Sequence, residues 1–438
     1  EHYSEYIMFR LLITGLKEIV QITDRSDVAF LKGADMTNIK VLNDPENQLA
    51  VLVATDGTIA AVSKVQNGKP TEHTLNMHGG ILVPGFVDGH SHPVFAGDRV
   101  HEFAMKLAGA TYMQVQAAGG GIHFTTEKTR EASMESLAKD FKKIAQMMLR
   151  NGTTTLEAKS GYGLSTESEL KMLRVLDLVD REIPLEISAT FCGGHAVPKG
   201  STEEGHVKLI CDEMLPAIQK AREAGELKNL ENIDVFCEKN VIEVANTRKI
   251  LESGKKQGLV ANFHAEELTR IGGAEMGAEI EARAMSHLEE ISDDGIRAMA
   301  KSGTVAVVLP STAFILRLTP PPVRKMIENG VIVALGSDFN PNAFCLAMPM
   351  IMHLACVTMR LSMEEALVAA TLNAAHSLGR GRTHGAISVG RHADFVVFDE
   401  SVSSWKHIIY RMAAQDTVIS HVVKSGRVVH DARTTSSN

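Results

Sequence analysis

At 438 residues the chain exceeds one ordinary domain, and a barrel of about 250 residues with a smaller companion accounts for the length. With 44% apolar and 22% charged residues it has ample material for a core, which excludes a disordered chain. A net charge of -8 excludes the clustered basic surface that nucleic acid or an anionic membrane requires, leaving a small molecule as the expected partner.

The five cysteines, Cys192, Cys211, Cys237, Cys345 and Cys356, are odd in number and contain no Cys-x-x-Cys pair. That usage fits reduced thiols in a cytoplasmic compartment. No apolar run reaches the ~18 residues of a membrane span. Residues 7–16 have the length of a signal core, but Arg10 interrupts them and no small-residue cleavage pattern follows, so an opening strand is expected there. Residues 1–7 are expected to be extraneous.

Up to about Gly80, short apolar runs such as 49–54 are broken by Gly, Asp and Asn, the texture of antiparallel strands. Beyond it, apolar runs of strand length alternate with amphipathic helical ones, as repeated βα units do. Eight strands are expected, at 82–88, 153–158, 185–191, 233–236, 259–264, 284–287, 304–309 and 331–337. Between 136 and 150, Leu137, Phe141, Ile144 and Met148 recur at helical spacing before the stop signal Asn151-Gly152. Thr166, Ser201 and Ser362 each stand three residues before a glutamate, the form of a capping box at a helix start. After Gly385 short strands return, at 395–398 among others, and such a segment cannot bury a face alone. The expected fold is therefore α/β: a (β/α)8 TIM-like barrel at 81–384, with a small composite β-sandwich formed by 1–80 and 385–438.

Barrel enzymes carry their reactive groups at the C-terminal ends of the strands. Strand one ends in His90-Ser91-His92, whose alternate side chains point one way along an extended backbone. Strand three runs into His195, strands five and six end in His264 and His287, and strand eight runs into Asp338. A lone histidine at a strand end is more often a satisfied core residue than a ligand. Five such ends of eight reverse those odds, because burying polar groups unpaired costs several kcal/mol each. Three imidazoles and a carboxylate from strands one, five and eight make a nitrogen and oxygen site for one zinc or iron ion. His353, His376, His407 and His421 fall on helices or the sandwich and are assigned no role.

Three features stay open at this point. Glu267, three residues past His264, can reach a water at such an ion, whereas Glu266 beside it is a decoy or a helix-start carboxylate. Gly119-Gly120-Gly121 lacks the phosphate-loop pattern and is expected to be a mobile loop over the barrel mouth. Tyr162, between Gly161 and Gly163, is either presented to a ligand or exposed in a turn.

The segments 84–92, 371–375 and 385–396 resemble the amidohydrolase superfamily. The more specific segments 92–99, 119–122, 157–164, 191–198 and 337–341 resemble the imidazolonepropionase family within it, along nearly the whole chain. The resemblance implies that His90, His92, His264 and Asp338 bind one zinc or iron ion. It implies that Arg99, Tyr112, Tyr162 and His195 hold the substrate, chiefly its carboxylate, to which the planar donor fork of arginine is suited. Glu267 and His287 would handle the attacking water together with Asp338, and Glu267 and Asn340 would also touch the substrate. The implied reaction is hydrolysis of the ring amide of 4-imidazolone-5-propanoate to N-formimidoyl-L-glutamate, by a cytoplasmic homodimer. The chain departs from the family at Asn342, where glycine is usual. Cytosine and guanine deaminases resemble it in the same metal and proton-handling set, but a neutral flat base needs no anion-binding group of four. A catalytically silent scaffold, as among dihydropyrimidinase relatives, is the remaining alternative, and the intact ligand positions count against it. Glu238, after strand four, is the position at which a second ion would be bridged in some superfamily members.

Overall fold

The computed structural model describes residues 8–64 and 69–435, so the expectation for residues 1–7 lies outside the described residues. Eight parallel strands lie side by side in chain order: Phe86–Asp88, Thr153–Lys159, Glu186–Gly194, Leu230–Cys237, Val260–Ala265, Ala284–His287, Val305–Val308 and Val333–Leu335. They fall on the eight expected runs. Both faces of each strand are covered, which is why the runs are apolar almost throughout rather than alternating. Val87, Val305, Val307 and Ala334 pack together in one buried cluster, while Phe86, Ala306 and Leu335 join the larger core that includes the surrounding helices. Met134–Arg150 buries Leu137, Phe141, Ile144 and Met148, the four positions at helical spacing.

The ring closes between its last and first strands. The Gly89 amide donates to the Leu335 carbonyl (3.2 Å), the Asp338 amide to the His90 carbonyl (2.8 Å) and the His92 amide to the Phe339 carbonyl (2.8 Å). Closure is thus what sets Asp338 beside His90 and His92, which are remote in sequence.

The first barrel strand is shorter than expected, because residues 82–84 belong to the other sheet. That sheet runs in the order Arg427–Asp431, Ile419–Lys424, Phe395–Phe398, Thr71–Pro84, Phe9–Ile22, Leu49–Val53, Ile59–Lys64, with Lys40–Asn43 also paired to Phe9–Ile22. Segments from both chain ends therefore share one sheet. Its longest pair, Phe9–Ile22 with Thr71–Pro84, is parallel, whereas an antiparallel arrangement was expected throughout. A parallel pair needs a long return connection, and the three intervening short strands supply it. The strands alternate: Ile81, Val83, Val396 and Phe398 join the barrel core, and Leu82, Phe395 and Val397 join Leu11, Ile13 and Val51 on the opposite face. Gly85 carries the chain from this sheet to the barrel, where a Cβ would collide with Thr154.

Met363–Ala369 has the reciprocal cap of Ser362 and Glu365. The other two expected caps sit one residue away: Ser165 caps Thr166–Glu182 and Thr202 caps Glu203–Leu209. Glu169 is released by that shift and turns to the preceding loop instead. Among the described residues all five cysteines are free, and no helix is long and apolar enough to cross a membrane.

Candidate active site

The Nε2 atoms of His90 and His92 lie 3.3 Å apart, as do those of His92 and His264. The Asp338 Oδ1 is 3.3 Å from His90 Nε2 and 3.6 Å from His92 Nε2. Ligands at ~2.0–2.1 Å in tetrahedral array are about 3.4 Å from one another, so these separations are those of a coordination sphere. The outer nitrogens of His264 and His90 are arranged to suit, while His92 Nδ1 is buried without a partner among the described residues. His264 Nδ1 lies 2.8 Å from Asp234 Oδ1, and a carboxylate only accepts, so the proton sits on Nδ1 and the Nε2 lone pair faces inward. His90 Nδ1 meets Ser286 Oγ at 2.7 Å. Burial pushes the pKa values of His90 and His92 well down, which keeps both imidazoles neutral as ligation requires. The donor set fits a zinc or iron ion.

A buried charge network backs these ligands. Lys159 Nζ lies 2.7 Å from both Glu157 and Asp234, and Glu157 accepts from the Ser91 amide between the two histidines of strand one. Burial raises the Asp234 pKa, but His264 and Lys159 outweigh it and hold the carboxyl at about 2. Asp338 is pushed up to about 6 by burial, against the hydroxyl of Thr312, which donates to it. The backbone is strained here too: His287 and Asp338 both take left-handed φ, at 79° and 47°. Such conformations cost about 1–3 kcal/mol each and persist where the surroundings impose them.

The cleft in front of the ligands is lined by Arg99, Tyr162, His195, Glu267, His287 and Asn340, among others. Tyr162 is buried, which removes the alternative of an exposed turn tyrosine. Its loop is held from both sides. Glu169 accepts from the amides of Gly161, Gly163 and Leu164, and the Gly161 carbonyl accepts from His195 Nδ1 at 3.0 Å. His195 therefore turns a bare Nε2 outward, and burial and the nearby His264 lower its pKa to about 3. Glu267 stands in the cleft wall with Oε2 3.5 Å from His287 Nε2. Burial, then Glu289 and Asp338, push its pKa well above the usual carboxylate range. Glu266 turns away to accept from the amides of Ile271 and Gly273.

Other expectations change in detail. Gly121 opens the helix Gly121–Glu131, so the three glycines form a turn and helix entry rather than a free loop. Asn340 reaches the cleft, but its amide is committed to its own turn: Nδ2 donates to the Asp338 carbonyl and Oδ1 accepts from Asn342 and Ala343. Asn342 needs no left-handed backbone, so the absence of glycine there is tolerated. Tyr112 opens the helix Tyr112–Ala117, and its side chain lies outside what the structure describes. Glu238 accepts from the amides of Leu268 and Thr269, which ties it to the loop after strand five. A separate cluster of Glu186, His384 and Asp394 already holds a cation, the Lys424 ammonium, at 2.8 Å and 2.7 Å from its two carboxylates.

Sequence reasoning missed Glu157, Lys159, Asp234 and Glu169. The signal for the first three was charge inside otherwise apolar strand runs, which a fully buried strand carries only when the charges are paired.

The amidohydrolase family profile matches residues 81–429. A probable imidazolonepropionase from Nematostella vectensis is 50% identical over 433 residues, covering 97% of this chain and all of that one. One from Homo sapiens is 47% identical, covering 96% and 98%. Among solved structures, an adenosine deaminase from Xanthomonas campestris with bound zinc superposes with a TM-score of 0.68 at 18% identity, over 96% of this chain and 93% of that one. A guanine deaminase from C. acetobutylicum reaches 0.71 at 15% identity, over 96% and 99%. At such identities the structural likeness is one of fold alone.

Proposed function

The chain belongs to the amidohydrolase family and, within it, to the imidazolonepropionases, and on that premise we propose that it hydrolyses the ring amide of 4-imidazolone-5-propanoate to N-formimidoyl-L-glutamate in histidine breakdown. The observation that carries the substrate is the buried Arg99 guanidinium in the wall of a cleft whose other charged or titratable groups are imidazoles, carboxyls and the Tyr162 phenol. An anionic side chain on a flat heterocycle suits that wall, and a neutral nucleobase gives the guanidinium no anion on its cleft side.

His90, His92, His264 and Asp338 would hold one zinc or iron ion. When bound, such an ion acidifies water toward a pKa of ~7 and polarises a carbonyl. Arg99, Tyr112 and Tyr162 take the propionate, and His195, whose bare Nε2 can only accept, meets a ring N–H of the substrate, with Tyr162 and His195 fixed through the loop that Glu169 braces. Asp338 and His287 orient the attacking water, and Asn340 borders the substrate. Glu267 takes the proton of that water and passes it to the departing ring nitrogen, a task suited to a carboxyl that burial makes more basic than usual. Residues 81–384 carry this chemistry, with 1–80 and 385–438 as the companion unit. The enzyme works as a cytoplasmic homodimer on a small solute, without nucleic acid, in keeping with its family resemblance.

The test is product identity. Incubation with freshly prepared 4-imidazolone-5-propanoate should yield N-formimidoyl-L-glutamate by nuclear magnetic resonance and mass. Ammonia release from guanine or cytosine, with the imidazolone untouched, would support the deaminase alternative instead.

A further inference from the structure

We propose that Glu102 is a positioning residue for recognition of the substrate's carboxylate, holding Arg99 by one edge so that the other edge faces the cleft. The inference rests on the proposed function and adds to it a residue that touches no substrate. Arg99 Nε and Nη2 donate to Glu102 Oε2 at 2.9 Å and 2.7 Å, and both side chains are buried. A planar guanidinium offers two donor edges, one through Nε and Nη2 and one through Nη1 and Nη2. Glu102 takes the first. Among the described residues Nη1 donates to no protein acceptor, which leaves the second edge for an incoming carboxylate.

The other oxygen of Glu102 accepts from the Gly121 amide at 2.7 Å, at the start of the helix Gly121–Glu131. One carboxylate thus joins the arginine to the glycine turn. Glutamine cannot do so, because its amide nitrogen would face either the guanidinium or the Gly121 N–H donor to donor. The glycine before it is also accounted for. A Cβ at Gly120 would sit 2.9 Å from Glu102 Oε1 and 3.1 Å from its carboxyl carbon, so only glycine lets the carboxylate approach. Gly120 itself has extended backbone, so an alanine there presses on the Glu102 head, and on Val115 Cγ1 at 3.1 Å, without a strained φ.

Two variants reach the same contact by different routes: Glu102→Gln and Gly120→Ala. Each is assayed with the acid substrate and with its neutral propionamide analogue, alongside thermal unfolding. We expect KM for the acid to rise about tenfold or more in both, with kcat within about twofold and KM for the amide unchanged. Equal rises for acid and amide would mean a merely structural role and would overturn the proposal. So would a KM for the acid that holds or falls in a folded variant. A wild-type protein that leaves the acid substrate untouched would refute the proposed function, and this inference with it, whereas active wild type with insensitive variants would refute the inference alone.

Discussion

Asp234 decides which nitrogen His264 turns inward, and it can do so because Lys159 keeps it ionised in a buried setting. An asparagine in its place both donates and accepts, so the imidazole would no longer be confined to one tautomer. Asp234→Asn should therefore lower metal affinity by about 10- to 100-fold, measured by competition with a chromophoric chelator. Arg99→Met should raise KM for the acid substrate by about 10- to 100-fold, the worth of a charge-assisted hydrogen bond, and steady-state kinetics would read it directly. His90, His92, His264 and Asp338 were legible in the sequence because barrel geometry says where to look along each strand. Asp234 and Lys159 were not. Lys159 shares its strand with Glu157 and Asp234 its strand with Glu231, but the pairing of Lys159 with Asp234, between strands two and four, exists only once the barrel has formed around it.

At the scale of elements, the loop carrying Tyr162 depends on a helix that follows it. Glu169 satisfies three amides of that loop from the first turns of Thr166–Glu182. Removing it leaves buried donors unpaired at about 1–3 kcal/mol apiece. Glu169→Ala should cost about 3 kcal/mol or more in urea unfolding and should weaken substrate binding, since Tyr162 and the partner of His195 sit in the same loop. An unaltered midpoint with unaltered KM would contradict that role. The eight barrel strands were readable because fully buried runs stand out against amphipathic helices. The helix caps slipped by one residue where two hydroxyls are adjacent, Ser165 with Thr166 and Ser201 with Thr202, since only the surrounding fold chooses between them. The parallel pairing of Phe9–Ile22 with Thr71–Pro84 was equally hidden, because alternation of apolar residues is the same in either direction.

Across the whole molecule, Glu186 at the start of barrel strand three receives Arg380, His384 and Lys424, and Lys424 brings in the C-terminal part of the mixed sheet. Burial raises the Glu186 pKa, but these three groups outweigh it and hold the carboxyl well below its usual 4.5. A depressed folded-state pKa means that the stabilisation is present above 4.5 and is lost as pH falls through the depressed value. Glu186→Gln should lower stability at neutral pH by about 2–4 kcal/mol by leaving buried cations underpaired. That gap should narrow as the solution is acidified below 4.5, as denaturant unfolding across pH would record. Union of the two terminal segments in one unit was legible because the C-terminal strands are too few to stand alone, whereas their joining in a single mixed sheet and their ionic tie to the barrel were not. The central claim is that scattered strand ends assemble one metal-dependent hydrolytic centre for imidazolone propionate. Its most direct measurement is the loss of that compound's ultraviolet absorbance under the purified protein, before and after chelation. We expect turnover that chelation abolishes and added zinc or ferrous iron restores; turnover indifferent to chelation, or none at full metal occupancy, would contradict it.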